Sequence, residues 1–437
     1  MSETLPYLRQ MWRRSGLYRV LLSAALIYTG LRILIQVGLL AWMMGVGSAE
    51  IQMPVDLKIY LDAAQRISLQ QNLYPQGLDK IEVFQYAPTF ALLFVPFTWL
   101  PPAVTVGLHT VLHFVAYAAL YGRWARILDK YKMERASMFL AWTLPVWLLF
   151  SSFWTDLGYL NIYIIIALLA TFLIEAIMDQ QLSRSLLWLS IILPIKPHWA
   201  FAAAVPLLVG KRRFFWRLAG WAALIYLGVV ATTVLTVGPA YGIRQYADYG
   251  RFLLGMRAYF PWRGPDAPFL GYNHSITQVV VYLGGVSSTM FGAATIIKVV
   301  LLAPLLVIAV RRLVRPQADP NPVAWLDLAF ALYLGVFIWL DMVWELSLGV
   351  ALFPYLLGTT QNKWTRIGIS VPFLCYALLD PWRIGGFLAY VLGVEIVDPG
   401  LYLLTDPAIY VPLVMMVILT WYAVLIKRMW KECVTER

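Results

Sequence analysis

Residues 21–47 read LLSAALIYTGLRILIQVGLLAWMMGVG, and Arg32 is the only charged side chain in this run. A helix of about 20 apolar residues crosses the hydrocarbon core of a bilayer. The apolar part of a secretory signal peptide is much shorter, roughly 7–15 residues, so this run does not fit one. It therefore predicts a first membrane helix that is retained in the protein.

The rest of the chain repeats this pattern. Of its 437 residues, 61% are hydrophobic and only 13% are charged, a composition far from that of a soluble domain. The two cysteines, Cys375 and Cys433, show neither a disulfide framework nor a metal-ligand spacing. We therefore predict one all-α membrane domain over residues 1–437, with about twelve transmembrane helices. The candidate spans are 21–47, 88–121, 136–154, 160–177, 186–195, 198–210, 214–237, 288–310, 323–340, 346–358, 367–380 and 407–426.

The net charge of +11 is distributed as short Lys and Arg clusters between apolar runs. This is the pattern by which cytoplasmic segments fix the orientation of a membrane protein, and it argues against nucleic-acid binding. It predicts cytoplasmic N- and C-termini, with outer loops at about 48–87 and 238–275. The prediction requires that 88–121 is one Pro-kinked helix and that 186–210 is split at Lys196-Pro197. The alternative makes 88–121 a hairpin and 186–210 a single helix.

Residues 54–74, PVDLKIYLDAAQRISLQQNLY, follow the first span and predict an amphipathic helix at the membrane surface. The apolar positions on its inner face would be Leu57, Tyr60, Leu61, Ala64 and Ile67. Asp56 has two interpretations. It is well placed as the N-cap of this helix, and it is equally a carboxylate beside an apolar wall that would serve as a general base for a lipid-linked substrate.

Several motifs together resemble glycosyltransferase family 87. They are Asp56 with Tyr60, Asn72-Leu73-Tyr74, Phe84-Gln85-Tyr86-Ala87-Pro88-Thr89-Phe90, Leu100-Pro101, Ile195-Lys196-Pro197-His198 and Gly271-Tyr272-Asn273-His274-Ser275. Asn72 stands where a glycine is common in the family, and His198 stands where a glutamine is commoner. The resemblance covers mainly the N-terminal two-thirds of the chain.

The resemblance implies a C-type glycosyltransferase fold and transfer of a sugar, with mannose expected, from a polyprenyl-phosphate donor to a lipid or glycolipid acceptor. Transfer would take place at the outer membrane face, with inversion at the anomeric carbon. Asp56 would be the general base. Phosphate-linked donors of this kind imply no cofactor and no metal. Separately, Asp56 and Asp62 are six residues apart and do not share one helix face, which also argues against a metal site.

Departure of a phosphate requires positive charge near it. The candidates for this role are Lys196, His274, Arg251, Arg257 and Arg263. The candidates for contact with the acceptor or the sugar are Tyr60, Tyr86, Asp156, His198 and Asn273. Three of these residues also have a stated structural alternative: Lys196 would snorkel to lipid headgroups, His274 would bond at a helix start, and Asp156 would cap a helix.

Two other functions remain open from the sequence. One is an O-antigen-ligase-like or polymerase activity on a pyrophosphate-linked donor, which the arginines of 238–275 would suit. The other is a secondary transporter or lipid flippase, since Arg32, Lys298 and Asp327 lie inside apolar runs.

Overall fold

The computed structural model describes residues 4–45, 53–75, 84–267, 273–315, 320–344, 346–382, 384–385, 393 and 407–435. Among these residues the secondary structure is helical, and no strand occurs. Parts of both predicted outer loops, with Gly271 and Tyr272, lie outside the described residues.

The helices follow one another along the chain with short connections. They are α1 (Thr4–Arg14), α2 (Gly16–Met43), α3 (Val55–Ser68), α4 (Pro88–Phe94), α5 (Pro102–Lys130), α6 (Glu134–Trp142), α7 (Leu144–Leu149), α8 (Ser151–Tyr159), α9 (Tyr163–Met178), α10 (Leu182–Ile195), α11 (Val205–Leu208), α12 (Arg212–Val237), α13 (Pro239–Tyr259), α14 (Ile276–Gly284), α15 (Ser288–Val314), α16 (Pro322–Trp339), α17 (Gly349–Thr359), α18 (Lys363–Ala377) and α19 (Pro407–Thr435), with 3₁₀ helices at Val95–Trp99 and Pro197–Ala204.

Within the described part of the chain, six helices are long and apolar enough to cross a membrane, or seven if the bent pair Glu134–Trp142 and Leu144–Tyr159 is one span. This confirms the predicted all-α polytopic class. The other predicted spans are mostly shorter helices, five of them apolar and 10–17 residues long. The count of about twelve spans stays a prediction, because a helix shorter than about 17 residues does not by itself cover the hydrocarbon thickness.

One predicted helix was wrong. Residues 88–121 do not form a single kinked helix, because Leu100 is extended (φ −90°, ψ 149°) and separates the 3₁₀ helix from α5. Pro101 explains the break, since the residue before a proline is biased away from helical backbone. The predicted break in 186–210 is confirmed: α10 ends at Ile195, and Lys196 is extended at φ −139° and ψ 86°.

The chain forms two compact units, each made of separated stretches of sequence. The first unit comprises Met1–Ile35, Ala119–Thr155 and Trp262–Arg437, and the second comprises Gln36–Ala118 and Asp156–Pro261. The predicted single domain over 1–437 stays a prediction.

The first unit pairs the charges that lie in its apolar helices. Arg32 Nε lies 3.0 Å from Asp380 Oδ2, and Lys298 Nζ lies 2.5 Å from Asp341 Oδ1. Asp327 is fully buried and accepts from the guanidinium of Arg428, with Nε at 2.7 Å from Oδ2. A charge in an apolar interior is tolerated when it is paired, so each of these groups has a structural explanation.

The second unit is organised around the apolar face of α3. The five inward positions predicted from the sequence are all buried, and Ala63 joins them. Tyr60 packs edge-on against Tyr86 and Phe90, with ring centroids 5.3 and 5.1 Å apart. This packing fixes the first turn of α3, where Asp56 lies, against the rest of the unit.

Candidate active site

Asp56 lies in the first turn of α3, within the second unit. The predicted N-cap role was wrong: the helix begins at Val55, its N-cap is Pro54, and no side chain caps it. Asp56 is the second helical residue because Pro54 already supplies the extended backbone before the helix, at φ −52° and ψ 136°. Its Oδ2 instead accepts a hydrogen bond from Nδ2 of Asn161 at 3.0 Å. The carboxylate is thus held by a side chain 105 residues away in sequence.

A chain of hydrogen bonds extends from this contact. Tyr60 OH donates to Oδ1 of Asn161 at 2.9 Å, and the hydroxyls of Tyr60 and Tyr86 lie 3.0 Å apart. A tyrosine hydroxyl has one proton to donate. Since that of Tyr60 goes to Asn161, Tyr86 is the donor in the tyrosine pair. Asp56, Asn161, Tyr60 and Tyr86 therefore form one ordered network.

Asp156 and His113 lie beneath the network and are almost completely buried. The two oxygens of Asp156 accept from the backbone N–H groups of Tyr163 and Ile164 at 3.1 and 2.9 Å, at the start of α9. A carboxylate is favourable there because the N-terminal N–H groups of a helix lack internal partners. His113 Nε2 lies 3.3 Å from Asp156 Oδ2 and also contacts the backbone oxygen of Asn161. Asp156 therefore has the capping role that was its structural alternative, and its contact with sugar stays a prediction.

Lys196 lies at the break between α10 and the following 3₁₀ helix. Its Nζ lies 3.9 Å from the ring centroid of Tyr163 and 5.0 Å from that of Tyr86. Ring faces stabilise a cation but accept no strong hydrogen bond. Among the described residues, no carboxylate or other acceptor lies within bonding distance of this Nζ. The ammonium group is thus held in place by the rings, and its N–H donors bond to no acceptor in the described part of the protein.

Burial shifts the two charged groups toward neutrality. Burial raises the pKa of Asp56 to about 6, and the charge of Lys196 and the bond from Asn161 oppose this rise. Burial likewise lowers the pKa of Lys196 to about 8, against the attraction of Asp56 and Asp156. Between these two values Asp56 is an anion and Lys196 a cation. A carboxylate with a raised pKa is a better proton acceptor near neutral pH than an exposed one.

Five other predicted site residues belong to this unit. Tyr60 and Tyr86 are part of the network, and His198 is half-buried two residues after Lys196, its ring 6.5 Å from Trp199. The structure thus brings Asp56, Tyr60, Tyr86 and Lys196 together through Asn161 and the Tyr86 ring, and their predicted roles stay predictions. Arg251 is different: it is exposed on α13 and pairs with Asp248 at 2.6 Å.

Arg257 also lies on α13, where its side chain is half-buried. The segment predicted as the second outer loop, residues 238–275, is helical over Pro239–Tyr259. Gly238, at φ 98°, turns the chain between α12 and α13, and Pro239 begins the new helix. Phosphate contacts by Arg251 and Arg257 stay predictions.

The remaining predicted residues belong to the first unit. Asn273 accepts from Val343 N at 3.0 Å and donates to Asp341 O at 2.8 Å. His274 contacts the backbone oxygen of Trp344 through Nδ1 at 2.8 Å, and the backbone of Arg263 bonds to the Gln278 side chain. Asn273 and His274 therefore join the start of α14 to residues 341–344, and their predicted roles toward donor or sugar stay predictions.

Asn161, His113 and Tyr163 were missed by the sequence reasoning. Asn161 lies in a turn after Leu160, which has a left-handed backbone at φ 50°. A short polar residue at the start of an apolar helix was the available signal, but it is also an ordinary turn signal. His113 is one of four histidines and lies within an apolar run, which is a stronger indication of a buried polar contact.

The fold places the chain among polytopic α-helical membrane proteins, and a half-buried carboxylate that interacts electrostatically with a lysine suits group transfer. The model of glycosyltransferase family 87 matches residues 84–340, more than half of the chain. The protein belongs to this family and is a membrane glycosyltransferase. Lys196 and Asn161 lie inside the matched region, whereas Asp56 and Tyr60 precede it. A search of curated proteins found none that matches the chain.

Proposed function

We propose that the protein transfers a sugar, with mannose the first candidate, from a polyprenyl-phosphate donor to a lipid or glycolipid acceptor. The observation that carries the proposal is the presence of Asp56 and Lys196 in the same unit: Asp56 is a half-buried carboxylate with a raised pKa, and Lys196 is a cation to which no anion among the described residues is bonded. The two groups match the two demands of glycosyl transfer from a phosphate donor, a base for the acceptor and positive charge for the leaving group.

In the proposed reaction the acceptor hydroxyl attacks the anomeric carbon of the donor sugar. A bond forms between the acceptor oxygen and this carbon, and the bond from the carbon to the phosphate oxygen breaks. The proton of the hydroxyl passes to Asp56, and the bonding electron pair leaves with the polyprenyl phosphate. Direct displacement inverts the configuration at the anomeric carbon, so a β-linked donor gives an α-linked product.

Lys196 would meet the phosphate as its negative charge increases. Its ammonium group has three N–H donors, and the rings of Tyr163 and Tyr86 hold it without satisfying them. Such a cation stabilises the departing phosphate more strongly in a site from which water is excluded than in bulk water.

The transport alternative has less support. The charges within apolar helices that suggested it, those of Arg32, Lys298 and Asp327, are bound in ion pairs in the first unit. Their pairing accounts for their presence without an ion pathway. We propose the outer face of a bacterial cytoplasmic membrane as the location, because Arg9, Arg13 and Arg14 precede the first span and so favour the opposite side for the loop that carries Asp56.

The test is sugar transfer by the purified protein in lipid nanodiscs, with synthetic polyprenyl-phosphate mannose, a panel of lipid acceptors and a chelator present. We expect wild-type transfer and a loss of about 10²–10⁴-fold in Asp56→Asn and Asp56→Ala, the range typical of a general base. Asp62→Asn is the matched control, because Asp62 is an exposed carboxylate on the opposite face of α3. Its activity should equal that of the wild type.

Transfer that survives both Asp56 substitutions would remove Asp56 as the base. Loss of wild-type activity with the chelator, and recovery with a divalent metal, would contradict the metal-independent mechanism. Transfer only from a pyrophosphate-linked donor would replace the proposed donor class with the alternative.

A further inference from the structure

Asn161 lies in the turn between α8 and α9, where both its backbone N–H group and its backbone carbonyl oxygen have partners. Its N–H donates to Asp156 O at 3.0 Å, and its carbonyl oxygen contacts Nε2 of His113. The preceding residue, Leu160, has a left-handed backbone at φ 50°, which a β-carbon disfavours. The surrounding contacts thus maintain an unfavourable backbone conformation that directs the Asn161 side chain toward α3.

The orientation of the Asn161 amide follows from its partners. Oδ1 accepts from Tyr60 OH at 2.9 Å and from the backbone N–H of Ile162 at 2.7 Å. Two donors identify this atom as the oxygen, so the NH₂ group faces Asp56. Asn161 therefore donates to Asp56, and it has no acceptor atom to present there.

This contact leaves one oxygen of Asp56 open. Asn161 bonds Oδ2, and no donor among the described residues lies within hydrogen-bond distance of Oδ1. A carboxylate held through one oxygen keeps the second in a defined direction, ready to accept a proton. A small error in the position of a base costs a large factor in rate.

We propose that Asn161 is the positioning residue of the general base: it holds Asp56 through Oδ2 so that Oδ1 faces the acceptor hydroxyl, and His113 and Asp156 fix the turn that carries it. The inference rests on the proposed role of Asp56 as the base. It adds a residue to the reaction that acts only through Asp56.

The hydrogen bond from Asn161 also affects the pKa of Asp56. A hydrogen bond to the ionised form favours that form, so removing the Asn161 donor should raise the pKa of Asp56 further. The other charged or titratable groups facing Asp56 are Lys196 at the end of α10, Asp156 on α8, Tyr60 on α3 and Tyr86 before α4. A substitution of Asn161 changes none of these groups chemically, so a change in the pKa of Asp56 would reflect the lost hydrogen bond from Asn161.

The test measures the pKa of Asp56 by ¹³C NMR of carboxyl-labelled aspartates in nanodiscs, with the signal assigned by its absence in Asp56→Asn. Asn161→Ala should raise this pKa by about one unit, the size expected for one bond to a charged group. Asn161→Asp keeps the shape but places a second carboxylate there, and should raise it at least as much. Asn72→Ala is the matched control, since the side chain of Asn72 bonds among the described residues to Tyr74 alone, and this substitution should leave the pKa of Asp56 unchanged.

The same variants are assayed for transfer from polyprenyl-phosphate mannose. If Asn161 positions Asp56, the Asn161 variants should show a fall of about 10²-fold in kcat and an unchanged donor KM. The acid limb of their pH profile should move up with the measured pKa of Asp56. An unchanged Asp56 pKa in both Asn161 variants would overturn the inference. A shifted pKa together with full activity in Asp56→Asn would instead show that the proposed base is wrong, so the two failures are distinct.

Discussion

Replacement of Lys196 tests the proposed site most directly, because the two charged groups would set opposite limbs of the pH profile. The proposed reaction requires Asp56 deprotonated, with a pKa of about 6, and Lys196 protonated, with a pKa of about 8. Activity should therefore rise with pH through about 6 and fall through about 8. At pH 7, one unit from each value, about 0.8 of the protein has both groups in the active form.

Lys196→Met removes the cation and its attraction for Asp56. The fall in kcat should be about 10²–10³-fold, since one donor to a developing oxyanion contributes about 2.7–4 kcal/mol. The alkaline limb should disappear. The acid limb should move upward, because Lys196 holds the pKa of Asp56 down.

Lys196→Arg is the matched variant, because it keeps the charge while its pKa lies above the range of the assay. We expect partial activity, an acid limb still near the wild-type position and no alkaline limb below about pH 10. The assay is initial-rate transfer from synthetic polyprenyl-phosphate mannose between pH 5 and 10. An alkaline limb near 8 that persists in Lys196→Arg would refute the assignment of that limb to Lys196.

Two further predictions concern stability, measured as the thermal unfolding midpoint in detergent. Gly358→Ala should lower the midpoint clearly, because an added Cβ would lie 2.5 Å from backbone atoms of Ala136; Gly228→Ala, with no atom within 4 Å, should not lower it. Arg428→Met should destabilise the protein by about 3–5 kcal/mol, because it leaves the buried Asp327 without its cation. Adding Asp327→Asn to Arg428→Met should recover part of this loss, and equal midpoints for the single and double variants would contradict the ion-pair explanation.

The sequence predicted those features that depend on periodicity and composition. The buried face of α3 follows from helical spacing, and the break at Lys196 follows from the proline after it. Asp56 was predicted as the N-cap but is the second residue of the helix. The extended backbone of Pro54 serves equally well at the N-cap position. Helix boundaries are decided by such small local differences.

The contacts that define the site could not be predicted in the same way. Asn161 and Asp56 are 105 residues apart, and nothing in the local pattern of either residue indicates the other. The phosphate candidates were chosen from the sequence for their charge and for their place in motifs or a predicted outer segment. The structure distinguishes them by pairing: Arg251 has a carboxylate partner on its own helix, whereas the contacts of Lys196 with described side chains are to aromatic rings.

The ion pair between Arg32 and Asp380 joins residues 348 positions apart. Because a chain is synthesised from its N-terminus, Arg32 enters the membrane long before the carboxylate that neutralises it has been made. During synthesis the first helix therefore lacks this carboxylate, and the ion pair can form only after residue 380 has been made. A chain truncated before Asp380 would lack the contact that joins its first helix to residue 380.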